Sequence, residues 1–233
     1  EFRRVLFRSG PTGSRHGPDA MTNRVVIAVD GPAGSGKSTV ARNVAALLGY
    51  RFLDSGAMYR ALALKALRAG IPADASDALA ALLGESRIEL SGRTIRLDGE
   101  DVSEEIRTPE VTRFVSRVAA VPEVREGMVA KQRAAFPGED LVAEGRDIGS
   151  VVFPDATAKF YLTATPEERA RRRAREIGRD LELVLEEQRI RDAEDEGREH
   201  SPLVKAEGAV EVDTTGLSIE EVVQRLAERI RKA

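Results

Sequence analysis

The chain carries the run Gly31-Pro32-Ala33-Gly34-Ser35-Gly36-Lys37-Ser38, and the predicted architecture follows from it. The run fits the phosphate-binding loop pattern G-x-x-x-x-G-K-[ST] at every fixed position. An apolar stretch over 25–29 comes directly before it, and a helical pattern of apolar residues over 40–48 follows it and stops at Gly49. Because the motif has its expected strand–loop–helix context, we predict a site for the phosphates of ATP or GTP.

Each part of this loop has a chemical task. The glycines let the backbone wrap a phosphate so that successive N–H groups point inward, and the following helix adds positive potential at its N-terminus. We expect Lys37 to reach the β- and γ-phosphates and Ser38 to take one position on Mg²⁺, the one metal ligand that we assign. The predicted ATP-binding residues are Gly31, Pro32, Ala33, Gly34, Ser35, Gly36, Lys37, Ser38 and Thr39.

Composition narrows the class of protein. The chain has 233 residues, which suits one α/β domain with insertions, and its net charge of −3 argues against a nucleic-acid coat. It has no cysteine, so disulfides and thiolate metal sites are excluded, and the two histidines are too few and too isolated to suggest a metal site. No apolar run is long enough to cross a bilayer. We therefore expect a cytoplasmic protein without nucleic-acid or membrane partners.

The order of elements predicts an α/β fold with a doubly wound parallel sheet. Five apolar strands alternate with helices. Two runs with period-two alternation, 87–90 and 94–97, differ from the rest and predict a small antiparallel hairpin or meander inserted into the domain. The five core strands are predicted at 25–29, 51–53, 141–143, 160–162 and 210–213.

The first twenty residues look foreign to this fold. They start with an aperiodic stretch that one choice of codons would make resemble a sequencing adapter, and a Gly/Pro/Ser/Arg/His segment follows. We expect residues 1–20 to be a non-native or disordered extension, Met21 to be the native start, and residues 21–233 to form a single domain.

A strongly basic helix follows Thr165, where Thr165 and Glu168 predict a capping box. The helix contains Arg169, Arg171, Arg172, Arg173 and Arg175, breaks at Gly178, and is followed by a second charged helix over about 181–193. Alone, such a run indicates a solvated face or a nucleic-acid patch. Next to a phosphate-binding loop, a mobile arginine lid over ATP is the better interpretation.

Three further motifs identify a family. The chain contains Asp54-Ser55-Gly56-x-x-Tyr59-Arg60, then Glu144-Gly145-Arg146-Asp147-Ile148-Gly149, then Arg191-Asp192-x-x-Asp195-x-x-Arg198-x-x-x-Pro202-Leu203. With this ordered set, the sequence closely resembles the bacterial cytidylate kinases from about Val25 to the C-terminus. The resemblance implies transfer of the γ-phosphate of ATP to CMP or dCMP in pyrimidine nucleotide metabolism. It also implies a core, a monophosphate-binding insertion at about 55–120 and a helical lid at about 169–200.

The resemblance also implies the roles of particular residues. Catalytic roles fall to Lys37, Arg146, Arg172, Arg173 and Arg191. The acceptor nucleotide is expected to bind Ser55, Tyr59, Arg60, Ser116, Arg125, Arg146, Asp147, Arg191, Asp195 and Arg198. Within that set, Ser116, Arg125 and Asp147 match positions that read cytosine, whose N4 donates and whose O2 and N3 accept. The chain departs from the family at Glu144, where some relatives have Asp, and at Glu194, where some carry a lid arginine.

Other functions remain open to test. A kinase for UMP, AMP or shikimate would share the phosphate loop, as would an ATPase that drives a partner or binds nucleic acid, or a nucleotide-binding protein without turnover. The partners that we predict are ATP, CMP and dCMP, with Mg²⁺ as cofactor and a monomer as the working form.

Overall fold

The computed structural model describes residues 24–197 and 203–232, and residues 1–20, Arg198 and His200 lie outside that part of the chain. In chain order, its elements are β1 (Val26–Asp30), α1 (Lys37–Leu48), β2 (Arg51–Asp54), α2 (Ser55–Arg68), α3 (Ser76–Glu85), β3 (Ile88–Ser91), β4 (Thr94–Leu97), β5 (Glu100–Asp101), α4 (Pro109–Val118), α5 (Pro122–Ala134), β6 (Leu141–Gly145), β7 (Ala158–Thr163), α6 (Pro166–Ile177), α7 (Leu181–Glu196), β8 (Val210–Asp213) and α8 (Ile219–Ile230).

The main sheet has five parallel strands in the order β2-β6-β1-β7-β8. Every residue of β1 and β6 is buried, as expected for parallel strands covered on both faces. On one face, α1 and α8 pack Val44 and Leu226 against the sheet, and on the other face α2 and α5 contribute Leu62 and Met128. The doubly wound sheet is therefore confirmed, and its carboxyl edge carries the phosphate-binding loop.

The period-two runs form the small antiparallel sheet that was predicted, with a short third strand in the order β3-β4-β5. Ile95 of β4 is buried in the same core as α2. Outside that contact, Lys65 of α2 pairs with Asp98 at 2.7 Å, and Arg68 pairs with Glu100 and Glu105. The insertion is thus attached to α2 by an apolar contact and by an exposed set of ion pairs.

The two charged helices α6 and α7 pack against each other through a small apolar cluster around Ala170, Ala174 and Val184. Thr165 caps α6 by accepting a hydrogen bond from the Glu168 amide. In a full capping box the Glu168 carboxylate would also accept from the Thr165 amide. Here it accepts hydrogen bonds from Arg171 and Arg172 instead. None of the helices in the described ranges is long and apolar enough to span a membrane.

Candidate active site

The loop from Gly31 to Gly36 follows β1 and is held by close backbone approaches. Gly31 has a φ of 148°, and a Cβ at this position would lie 2.1 Å from the Leu162 carbonyl oxygen of β7, so a side chain is excluded. Lys37 is buried and donates from Nζ to the Pro32 carbonyl at 3.1 Å. The loop therefore has the curled form that suits inward-pointing amides, with its lysine folded back across it.

Charges of both signs surround Lys37. Burial, together with the positive charges of Arg146 and Arg191, lowers the pKa of Lys37 to about 7, while Glu144 and Asp195 oppose that shift. Burial and the negative charge of Asp54 raise the pKa of Glu144 to about 7. Lys37, which is predicted to bind phosphate, therefore lies close enough to interact electrostatically with Arg146, Arg191 and Asp195, which are expected to bind the acceptor.

Ser38, Glu144 and Asp54 form a polar cluster beside the loop. Ser38 donates from Oγ to Oε1 of Glu144 at 2.9 Å. No N–H or O–H group of the described residues donates to Oε2 of Glu144, and the Asp54 carboxyl lies within hydrogen-bonding range of Glu144. Two adjoining carboxyls need a shared proton or a cation between them, so the oxygens of this cluster suit Mg²⁺, which prefers oxygen ligands.

Arginines converge on the same edge of the sheet. Arg60 of α2 donates to the Ile106 carbonyl and to Thr112, and burial followed by the charge of Arg173 lowers its pKa to about 10. Arg146, directly after β6, donates from Nε to Asp195 of α7 at 2.7 Å. Because Asp195 is 1% exposed, this ion pair fixes α7 against the turn after β6.

Of the three residues expected to read cytosine, two are in contact with each other. Arg125 of α5 and Asp147 form a buried ion pair, and Arg125 also donates to the Ala119 carbonyl at 3.2 Å. The ring of Tyr59 lies 5.6 Å from the Arg125 guanidinium carbon. Ser116 is half-buried on α4, and no hydrogen bond joins it to Arg125 or Asp147. Nearby, Ser55 is buried and donates to the Glu144 carbonyl at 2.7 Å.

The predicted lid arginines have different surroundings. Arg172 is anchored, because it donates to Thr214 Oγ1 at 3.0 Å and to the Thr214 carbonyl at 2.6 Å. It also lies 3.7 Å from where a Cβ of Gly36 would be, so it is next to the loop. Arg173 is more exposed and pairs with Glu176. Arg191 lies near enough to Lys37 to influence its charge, and Arg198 lies outside the described residues.

Sequence reasoning missed two buried groups. Arg169, treated only as part of the basic run, donates to the Ala33 carbonyl of the loop at 3.0 Å and pairs with Asp192 of α7 at 2.6 Å. Asp30, at the end of β1, accepts from the amides of Ile148 and Gly149. An acidic residue that directly ends an apolar strand was a signal for Asp30. Nothing in the sequence separates Arg169 from its exposed neighbours.

The chain is similar to known proteins in sequence and in fold. A family model described as cytidylate kinase matches residues 27–232. A cytidylate kinase of Caldanaerobacter subterraneus subsp. tengcongensis is 53% identical over 89% of this chain and 95% of that relative. The cytidylate kinase of Geobacillus kaustophilus is 48% identical over 91% of this chain and 99% of its own length. The crystal structure of an uncharacterized protein from Eubacterium ventriosum is similar in fold, with a TM-score of 0.53, 11% identity and coverage of 90% and 100%.

Proposed function

The chain belongs to the cytidylate kinase family, and on that premise we propose how its residues transfer the γ-phosphate of ATP to CMP or dCMP. A phosphate oxygen of the monophosphate attacks the γ-phosphorus in line, and the bond from that phosphorus to the β-phosphate oxygen breaks. The products are ADP and CDP or dCDP. The attacking oxygen is already anionic, so the residues mainly orient the two nucleotides and stabilise charge.

One observation carries this proposal. The end of β6 lies between the two proposed substrate regions, since Glu144 accepts from Ser38 of the loop while Asp147 pairs with Arg125 of α5. An ATP phosphate chain bound to the loop and a base bound to Asp147 would therefore lie on two sides of one short turn. An in-line transfer needs the acceptor phosphate next to the γ-phosphate, and a monophosphate whose base binds at Asp147 would extend towards the loop.

On the donor side, we propose that residues 31–39 hold the ATP phosphates through their amides. Lys37 neutralises the β- and γ-phosphates. Its pKa of about 7 belongs to the protein without nucleotide, and a bound phosphate favours its charged form. Arg172, Arg173 and Arg191 stabilise the charge that develops on the transferring group.

Mg²⁺ fits the cluster beside the loop. We propose that Ser38 ligates the ion and that Glu144 and Asp54 supply negative charge around it. Oε2 of Glu144 accepts no hydrogen bond from the described residues, and a cation would interact favourably with it. The ion would supply charge neutralisation between the β- and γ-phosphates.

On the acceptor side, we propose that Ser55, Arg60 and Arg146 hold the phosphate of CMP. The sugar lies against Asp195, and Arg191 and Arg198 complete the cluster. Planar guanidinium groups meet phosphate oxygens in pairs, which suits these roles.

We propose that Asp147 accepts from N4 of cytosine, that Arg125 and Ser116 donate to its O2 and N3, and that Tyr59 lines this end of the site. Uracil reverses the donors and acceptors at N3 and C4, so a bound UMP would leave buried groups mispaired. Discrimination between the bases then depends on the buried pair of Asp147 and Arg125.

The domain boundaries remain part of the proposal. We assign the monophosphate-binding insertion to about 55–120 and the lid to about 169–200, and their closure would keep water from acting as acceptor. We also propose that the protein is a monomer and that it works in the cytoplasm. The absence of cysteine is compatible with that compartment.

The test is ADP release from Mg-ATP with CMP, dCMP, UMP, AMP, shikimate or no acceptor. We expect strong release with CMP and dCMP and little with the other acceptors. Release that needs no acceptor would favour the ATPase alternative. Strong release with another acceptor would keep the transfer chemistry and overturn the roles of Asp147 and Arg125. ATP-dependent thermal stabilisation without any release would favour a binding protein.

A further inference from the structure

Asp30 is a buried carboxylate that joins the two sides of the site and has no part in the roles given above. It is the last residue of β1, directly before Gly31, and it is 3% exposed. Its Oδ1 accepts a hydrogen bond from the Ile148 amide at 2.8 Å, and its Oδ2 accepts one from the Gly149 amide at 2.7 Å. One side chain thus connects the start of the phosphate loop with the turn after β6.

The two amides need an external acceptor. They begin a π-helical turn, Ile148–Val152, whose later amides at Val151 and Val152 donate back to the Asp147 carbonyl. The first amides of a helical turn have no partner inside the turn. Asp30 supplies both, and so holds the main chain directly after Asp147, while Arg125 holds the Asp147 side chain.

The geometry calls for a carboxylate rather than an amide. Only an ionised carboxylate accepts with both oxygens, and the two amides point at different oxygens. Burial, with the negative charge of Asp147, raises the pKa of Asp30 to about 6, whereas the two amides and the charge of Lys37 favour the ionised form. The carboxylate is therefore charged at neutral pH and accepts from both amides.

We propose that Asp30 is a positioning residue, which holds the turn after β6 so that Arg146 and Asp147 face the acceptor nucleotide. This inference rests on the proposed function, because it gives a purpose to the orientation of those two residues. It does not require Asp30 to touch either nucleotide. A change at Asp30 should therefore weaken the recognition of CMP more than that of ATP, although Asp30 is next to the ATP loop in the chain.

The test compares Asp30→Asn with Asp140→Asn. Asp140 is a matched control, because its carboxylate also accepts a hydrogen bond from a main-chain amide, that of Val25, at 2.7 Å. This bond lies at the opposite end of β1 and β6, away from the site. In Asp30→Asn, one amide loses its acceptor, and we expect KM for CMP to rise about tenfold with a lower CMP-to-UMP ratio of kcat/KM. We expect KM for ATP to change much less. Asp140→Asn should leave all three quantities near wild type.

Amide hydrogen exchange by NMR provides a second measurement. In the wild type, the Ile148 and Gly149 amides should exchange slowly, and in Asp30→Asn at least one should exchange much faster while the Leu141 amide, paired with the Val25 carbonyl, does not. Fast exchange of both amides in the wild type would overturn the inference even if Asp30→Asn failed to fold.

An equal loss for CMP and ATP, or none for CMP, would also overturn the inference. The wild type in the same series tests the proposed function separately. If it phosphorylates CMP and Asp30→Asn matches it, only the role of Asp30 is wrong.

Discussion

The proposed donor and acceptor sides of this site are built differently. On the donor side, consecutive residues 31–38 curl at one strand end, and the polar groups offered to a phosphate are mainly backbone amides. On the proposed acceptor side, the groups are side chains from α2, α4, α5, α7 and the turn after β6, and four of them form the buried ion pairs Arg125–Asp147 and Arg146–Asp195. One side is specified by a short segment, whereas the other exists only after distant segments have met.

The difference affects how each side responds to substitution. A buried ion pair that loses one partner leaves an uncompensated charge, which costs about 3–5 kcal/mol of stability. Lys37 donates to a carbonyl, and its burial already opposes its charge, so its removal should cost less stability even though Glu144 and Asp195 lose a nearby positive charge. We therefore expect the donor side to lose activity with little loss of stability, and the acceptor side to lose both together.

The largest effect is expected from Lys37→Ala. The substitution removes the cation next to the transferring phosphate, so kcat should fall by a factor of about 10³ or more, while the thermal midpoint stays near that of the wild type. Lys131→Ala is the control, because Lys131 also donates to a single carbonyl, that of Ser86, but outside the site. Activity of Lys37→Ala within tenfold of the wild type would show that the loop is wrongly assigned.

The second prediction concerns the pH dependence of stability, which Glu144→Gln should change because Glu144 lies between the two proposed sides. The pKa of Glu144 is raised in the folded state, so the unfolded protein releases this proton first as the pH rises. The stability of the wild type relative to Glu144→Gln is therefore greatest below about pH 4.5, falls as the pH rises to about 7, and stays constant above that. The total change should be about 3 kcal/mol.

The measurement is urea unfolding of both proteins without nucleotide between pH 4.5 and 8. Glu139→Gln is the control, because Glu139 is exposed and pairs with Arg51 away from the loop. Parallel curves for the wild type and Glu144→Gln would mean that Glu144 has an ordinary pKa.

The smallest effect on catalysis concerns specificity, although breaking the buried Arg125–Asp147 pair should also lower the stability of this variant. Asp147→Asn keeps the shape of the side chain but removes the charge that we expect to face cytosine N4. The CMP-to-UMP ratio of kcat/KM should fall by about 10- to 100-fold, with KM for ATP nearly unchanged. Asp155→Asn, at an exposed position before β7, should leave the ratio unaltered. If the ratio in Asp147→Asn equals that of the wild type, Asp147 does not read the base.

The same difference explains which parts of the fold and of the site could be predicted from the sequence. The strand, loop and helix around residues 31–38, the five parallel strands and the small antiparallel sheet were predicted and are confirmed, because each depends on residues close together in the chain. The phosphate-binding role of the loop stays a prediction. The resemblance supplied the acceptor residues but not their partners. Its place at the end of an apolar strand was a signal for Asp30, but neither its partners nor that of Arg169 could be predicted, since Asp30 binds amides 118 and 119 positions away and Arg169 binds a carbonyl 136 positions away. Main-chain partners have no signature in a sequence.

The strand order has a consequence for how the protein is made. β1 and β2 emerge first during synthesis, yet they do not pair with each other, and each pairs with β6. Neither strand can join the parallel sheet before Leu141–Gly145 has been synthesised. Pairing between such distant segments is slow because a long loop must close first. The phosphate loop, near the beginning of the described chain, is therefore among the last parts of the enzyme to acquire its working shape.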